Sequence, residues 1–390
     1  MADQRSIAAV TTSRADWGHL EWPLRLLEEH PGVDLRLIVG GAHVEARFGN
    51  TIEAIERAGF TVDRQIPFLA GDDSDRGMGL GIGQAVTGFT QALADLRPDL
   101  LLLIADRFEM LAPAAAAMAL RIPIAHIEGG EISEGAIDQQ VRDALTKMSH
   151  LHLVPTDDAA ARVIAMGEEP WRVTVAGAPS LDHVRRSELP SREAVETAIG
   201  MSLDPAPIVV AFHPVTMHRD TTDEAEAFFA AIVKAPRPIV FCFPNADAGY
   251  SRVIELSNAV CNARDDAVLR VNLDHLVYWA LLRESALLAG NSSSGIMETA
   301  SLALPTLNVG IRQQGRTRAS NVIDVPAEQS AIAAGLEEAL SPSFRPSLQG
   351  LVNPYGDGYA AERIVDVLAT CPLDDRLRMK TMMEISAESV

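Results

Sequence analysis

Two short apolar runs, each ending in an acid, constrain this chain more than any other feature. Residues 99–105 read DLLLLIA and lead straight into Asp106. Residues 122–127 read IPIAHI and lead into Glu128, Gly129 and Gly130. Runs this apolar, with no alternation, suit strands buried on both faces of a parallel sheet. The alanine-rich stretch 107–119 between them supplies the helical crossover that parallel strands need. Both acids then arrive at the carboxyl edge of the sheet, where α/β proteins bind ligands. A third, Asp138, follows in a polar loop after Glu131 and Glu134. Any one acid after a strand can be a helix N-cap, and Asp106 is placed to cap 107–119. Three acids beside His126 and a Gly-Gly pair instead suit paired acid and base work.

The same alternation runs along the chain. Strands are expected at 7–12, 33–40, 62–68, 151–154 and 172–176, with helices at 50–59, 80–97 and 157–167 and an acidic, glycine-rich loop at 69–79. After the break GAPS and SELPSRE, a second series begins. Its strands are expected at 207–212, 238–243, 267–271, 286–289 and 305–309, with helices at 222–235, 248–263, 326–340 and 359–370. A chain of 390 residues exceeds one typical core. The expected division is 1–185 for a first Rossmann-like domain carrying the acids, and 186–372 for a second that binds nucleotide. Residues 373–390 form a charged helix that packs back on the first. The fold class is α/β with parallel sheets.

The second series carries its own ligand signal. Gly290-Asn291-Ser292-Ser293-Ser294-Gly295 follows a strand and opens a helix. Small residues let the backbone approach a ligand, and serines and a helix start supply donors to phosphate. Glu298, one turn on, suits the two hydroxyls of a ribose. Serine-rich helix starts are also plain N-caps. Arg14 sits in the first strand-to-helix turn and is a phosphate candidate. Arg312, Arg316 and Arg318 follow the strand at 305–309. His213 stands at a strand end, whereas His126, inside a strand, reads as structural. No Walker lysine, GxGxxG or GxSxG occurs.

Composition narrows the classes. The formal net charge of −20 argues against nucleic acid and anionic membrane as partners. No apolar segment approaches the roughly 20 residues of a membrane span. The opening MADQRSIAAVTTSR has no apolar signal region. Cys242, Cys261 and Cys371 have no zinc spacing and suit a reducing compartment. The expectation is a cytoplasmic protein with no metal.

Residues 104–150 and 290–324 resemble the hydrolysing UDP-N-acetylglucosamine 2-epimerases, in the branch that serves sialic- and legionaminic-type sugars. The resemblance rests on DRFE after a strand, HIEGGE, Asp138-x-x-x-Arg142 with TKMSH, GNSSSGIMET and NVGIRQQGR. SRADWG and NPYGDG extend it over most of the chain. It implies a GT-B architecture, two Rossmann-like domains with parallel sheets facing a central cleft. It further implies that Asp106, Glu128 and Asp138 are the catalytic carboxylates, with His213 near the leaving diphosphate. Ser293, Ser294, Gly295 and Glu298 are then UDP contacts, and Arg14 and Arg316 lie near phosphate. The implied reaction is anti elimination of UDP and hydration of a 2-acetamidoglucal, with no cofactor. The substrate is UDP-N-acetylglucosamine or a close UDP- or GDP-linked 2-acetamido sugar, and the assembly a homodimer or homotetramer. The alternatives are a GT-B glycosyltransferase using a UDP-sugar and a non-catalytic nucleotide-sugar binding protein.

Overall fold

The computed structural model describes residues 4–69, 73–217, 220, 222–242, 247–271 and 273–383. Among the described residues thirteen strands form two sheets. The first contains β1 (Arg5–Thr11), β2 (Val33–Gly40), β3 (Val62–Ile66), β4 (Leu100–Ile104), β5 (Ile124–Ile127), β6 (Leu151–Val154) and β7 (Val173–Val175), in the order β3-β2-β1-β4-β5-β6-β7. The second contains β8 (Ile208–Ala211), β9 (Ile239–Cys242), β10 (Ala267–Arg270), β11 (Leu287–Gly290), β12 (Thr306–Val309) and β13 (Val322–Val325), in the order β10-β9-β8-β11-β12-β13. Every strand pair is parallel. The order reverses between β1 and β4 in one sheet and between β8 and β11 in the other. These are the doubly wound topologies whose switch points open ligand crevices. Two such sheets facing one cleft make the GT-B architecture. Among the described residues no helix is long and apolar enough to cross a membrane.

The strand at 99–105 is fully buried over Leu100–Ile104, as its unbroken apolar run requires. The stretch 107–119 is a short 3-10 turn, Phe108–Met110, then a helix, Leu111–Leu120. Neither has a side-chain cap, so Asp106 is not an N-cap. The loop expected at 69–79 is shorter, because Ser74 caps a helix over Asp75–Leu96; its residues 70–72 lie outside the described set. So does residue 243, the last of the strand expected at 238–243. Helices Asp138–Met148, Arg192–Ile199 and His275–Glu284 and strand β13 were not expected from sequence. In β13 the acid Asp324 interrupts the apolar run, because that side chain faces outward and takes Asn308 Nδ2 at 2.7 Å.

The chain end departs most from expectation. Helix Ala360–Thr370, expected in the second domain, packs on helix Arg14–Glu29 and buries Ala360, Ile364 and Leu368 in the core of the first sheet. Buried Asp182 accepts the N–H groups of Ala360 and Ala361 at its start. Of the helix expected over 373–390, only Asp375–Arg378 is helical, and residues 384–390 lie outside the described set. Arg172 donates to the carbonyls of Arg376, Leu377 and Met379, which a longer helix would use itself. Arg172→Ala should therefore destabilise the fold by about 2–4 kcal/mol, through lost charged hydrogen bonds and stranded carbonyls. Urea unfolding measures the loss, and hydrogen exchange should rise over 373–383.

Candidate active site

The carboxyl ends of both switch points open into one cavity, lined from the first sheet by the acids and from the second by serines, arginines and His213. At the ends of β4 and β5 the backbone turns through a left-handed residue, Ala105 (φ 59°) and Glu128 (φ 63°). Non-glycine residues adopt this conformation only when their surroundings fix it. Here Ala105 N–H donates to Ile127 O and Glu128 N–H to Leu153 O, both at 2.9 Å. The ladder closes at the residue that turns, and the acids are delivered to the cavity.

Each acid meets a different partner. Asp106 contacts the guanidinium of Arg142, with that of Arg316 at 3.5 Å. Arg142 comes from the first sheet's helix Asp138–Met148 and Arg316 from the loop after β12, so one cation from each side holds the acid. Buried Arg142 also donates to Ser133 Oγ and to the Glu131 carbonyl, both at 2.9 Å. Glu128 Oε1 lies 2.7 Å from His19 Nδ1, and His19 Nε2 lies 3.7 Å from Glu298 Oε1 across the cleft. Burial alone would lower the His19 pKa, but Glu128, then Glu298 and Asp16, outweigh it and raise it to about 9. His19 is thus a cation at neutral pH. Asp138, the first residue of its helix, lies 3.9 Å from Arg312 Nη2, and burial raises its pKa against that attraction. Glu131 is buried beside the hydroxyl of Tyr355, at 3.1 Å.

On the second side Asn291 is the hub. Its Oδ1 accepts His213 N–H at 2.7 Å, its Nδ2 donates to His213 O at 2.9 Å, and its own carbonyl accepts from Gln313 and Arg312. This ties the end of β8 to the end of β11. Burial, aided by Arg312 and Arg107, lowers the His213 pKa well below the usual range, so the imidazole is neutral. Ser294 Oγ donates to Glu298 Oε2 at 2.6 Å and accepts from Tyr278 Oη at 2.9 Å.

The cavity brings together Arg14, Asp106, Glu128, Asp138, His213, Ser293, Ser294, Glu298 and Arg316 from the sequence reading. Gly295 does not line it. A Cβ there would lie 2.8 Å from Thr306 Cγ2, so the glycine serves helix-to-strand packing. The helix it opens is one turn, Ser294–Met297, and has no side-chain cap. Arg318 turns away to pair with Asp324. His126 is structural as read, its Nε2 2.6 Å from Ala105 O. His43 bonds to Thr11 and Thr51.

His19 was missed. The signal was there: Ser13-x-x-Asp16 is a capping box, and it fixes the helix start so that His19 follows Asp16 by three residues on one face. One group among the described residues, Glu21, His183 and His275, has metal-like spacing, with potential ligand atoms within 4.8 Å. Both His183 ring nitrogens already meet Gly18 O and Ser187 Oγ at 2.8 Å. Glu21 takes Arg25 at 2.8 Å. Glu21 Oε2 and His275 Nε2 face each other at 2.7 Å.

Residues 25–369 match the UDP-N-acetylglucosamine 2-epimerase family. The chain belongs to that family. A UDP-N,N'-diacetylbacillosamine 2-epimerase (hydrolyzing) of Legionella pneumophila is 35% identical over 377 residues, which cover 96% of this chain and 98% of the relative. A GDP/UDP-N,N'-diacetylbacillosamine 2-epimerase (hydrolyzing) of Campylobacter jejuni is 30% identical over 345 residues, 88% of this chain and 89% of the relative. The crystal structure of UDP-GlcNAc 2-epimerase from Neisseria meningitidis bound to UDP-GlcNAc superposes with a TM-score of 0.80, 18% identity and coverage of 93% and 99%. That likeness establishes the shared fold. Family membership, more than the fold, separates this epimerase from a glycosyltransferase of the same architecture.

Proposed function

We propose that the epimerase is of the hydrolysing kind and converts a UDP-linked 2-acetamido sugar and water into UDP and the free sugar inverted at C2. One observation carries this reading: several carboxyl groups face His213, the serine loop and Arg316 across a single cavity. A C2 proton beside an acetamido group is weakly acidic, so loss of UDP must accompany its removal. A carboxylate takes the proton, the C1–O bond breaks with its electrons going to UDP, and a 2-acetamidoglucal remains. Donors around the diphosphate meet the developing charge. Neutral His213 offers an N–H there, and Glu298 and Ser294 hold the nucleotide. Water then adds: an acid protonates C2, hydroxyl bonds to C1, and a carboxylate takes the second proton.

The substrate of the Legionella relative, UDP-N,N'-diacetylbacillosamine, stands beside UDP-N-acetylglucosamine as a candidate. A nucleotide-sugar panel without acceptor, followed by mass spectrometry, distinguishes them. In labelled water the C1 oxygen of the sugar should carry the heavy isotope and UDP none; in deuterium oxide the product should carry deuterium at C2. A product still joined to UDP would indicate a non-hydrolysing epimerase. Label in UDP, or retention of the original C2 hydrogen, would overturn the mechanism.

A further inference from the structure

Of the five carboxyl groups lining the cavity from the first sheet's side, Asp106, Glu128 and Asp138 each have an ion-pair partner, Asp16 accepts from the Thr12 and Ser13 N–H groups and the Thr12 hydroxyl, and Glu131 has no ion-pair partner among the described residues. It is 3% exposed, and its Oε1 has no hydrogen-bond partner. Its Oε2 lies 3.1 Å from Tyr355 Oη, which itself lies 2.9 Å from the carbonyl oxygen of Thr317. Three oxygens stand in a row with two contacts between them. The carbonyl has no proton and the phenol has one. Two full hydrogen bonds along the row need a second proton, and only Glu131 can carry it. Tyr355 then donates to Thr317 O and accepts from Glu131. Burial is the largest influence on both groups, and for Glu131 it outweighs the pull of Arg316 and of the Tyr355 hydroxyl, so both pKa values are raised and a phenolate is no alternative.

We propose that Glu131 rests in the site as a neutral carboxylic acid, fixed by Tyr355, and that it is the group that protonates C2 when water adds to the glucal. The proposal rests on the elimination–hydration reading. Inversion at C2 requires the proton to arrive on the face opposite the one it left, so base and acid are different groups. The Glu131 O–H bond breaks, a C–H bond forms at C2 from the alkene electrons, and water oxygen bonds to C1. The proton from water and the one first taken from C2 sit on carboxylates. One restores Glu131 and the other leaves to solvent. Tyr355 does not touch the cavity and is a positioning residue.

Glu131→Gln keeps a donor toward Tyr355 and removes the transferable proton. It should still release UDP in a single turnover but accumulate glucal, and its hydration of added glucal should fall about 100-fold or more. Tyr355→Phe removes an acceptor that favours the protonated carboxyl, so the alkaline limb of glucal hydration should move to lower pH. Difference infrared spectra of wild type minus Glu131→Gln should show a protonated carboxyl stretch at neutral pH. Wild-type glucal hydration by Glu131→Gln, an unmoved limb in Tyr355→Phe, or an absent carboxyl band would each overturn the proposal. If the wild type neither releases UDP nor hydrates glucal, the functional reading fails instead, and the infrared band still reports on the Glu131 proton.

Discussion

Glutamine at position 128 should lower kcat by about two to four orders of magnitude, the range for loss of a positioned acid–base group. Shape and cavity are kept, so KM should move little and the loss should appear in UDP release. The same variant changes a second observable. Glu128 is the strongest influence raising the His19 pKa to about 9. His19 is a base whose folded value lies above its ordinary one. Its cationic contact with Glu128 and Glu298 is therefore complete at neutral pH and is lost as pH rises through about 9. Wild-type kcat/KM should fall along that limb. In Glu128→Gln the limb should move to lower pH, and in His19→Gln it should vanish. Rate against pH for the three proteins is the measurement. An alkaline limb unchanged in His19→Gln would separate the histidine from the carboxylate it touches.

Arg142→Met should cost about 3–5 kcal/mol of stability, because one partner of a buried ion pair is left uncompensated. The guanidinium serves Asp106, Ser133 Oγ and the Glu131 carbonyl together. Arg316 remains 3.5 Å from Asp106 and compensates only in part. Removing the charge on both sides should recover some of the loss, so the double variant Asp106→Asn, Arg142→Met should be more stable than Arg142→Met alone. Urea unfolding of the four proteins gives the coupling. Strict additivity would mean that the pair contributes nothing to the fold. The turnover of Arg142→Met should fall at least 100-fold, since Asp106 loses its orientation and Glu131 an anchor for its backbone.

The parallel sheets were legible because their central strands are unbroken apolar runs, as at Leu100–Ile104 and Ile208–Ala211. The acids were legible because they stand directly after such strands. Other parts were hidden for physical reasons. Ala105 and Glu128 hold left-handed turns without a glycine to mark them. His19 and Arg142 lie on helices whose starts are set by local hydrogen bonds, and their partners are 109 and 36 residues away in sequence. Gly295 looked like a phosphate contact because close approach to a ligand and close approach to Thr306 both demand a missing side chain. Helix Ala360–Thr370 has an apolar face whose destination is set by partners far away in sequence, among them Asp182 and the surface of helix Arg14–Glu29.

That choice has a consequence for synthesis. The first sheet is complete in sequence at Val175, yet its core is closed by residues translated after the whole second sheet, which ends at Val325. Arg5, in the first strand, donates to the carbonyls of Leu368 and Cys371 near the other end of the chain. A ribosome therefore exposes an uncovered apolar face on the early half while the later half can already close upon itself. Domains generally mature in the order they emerge; here the order inverts, and the half made first is finished last. Chains stalled before residue 360 should present that face to chaperones, and emergence of residues 360–377, which pack on that core, should be the event that ends the association.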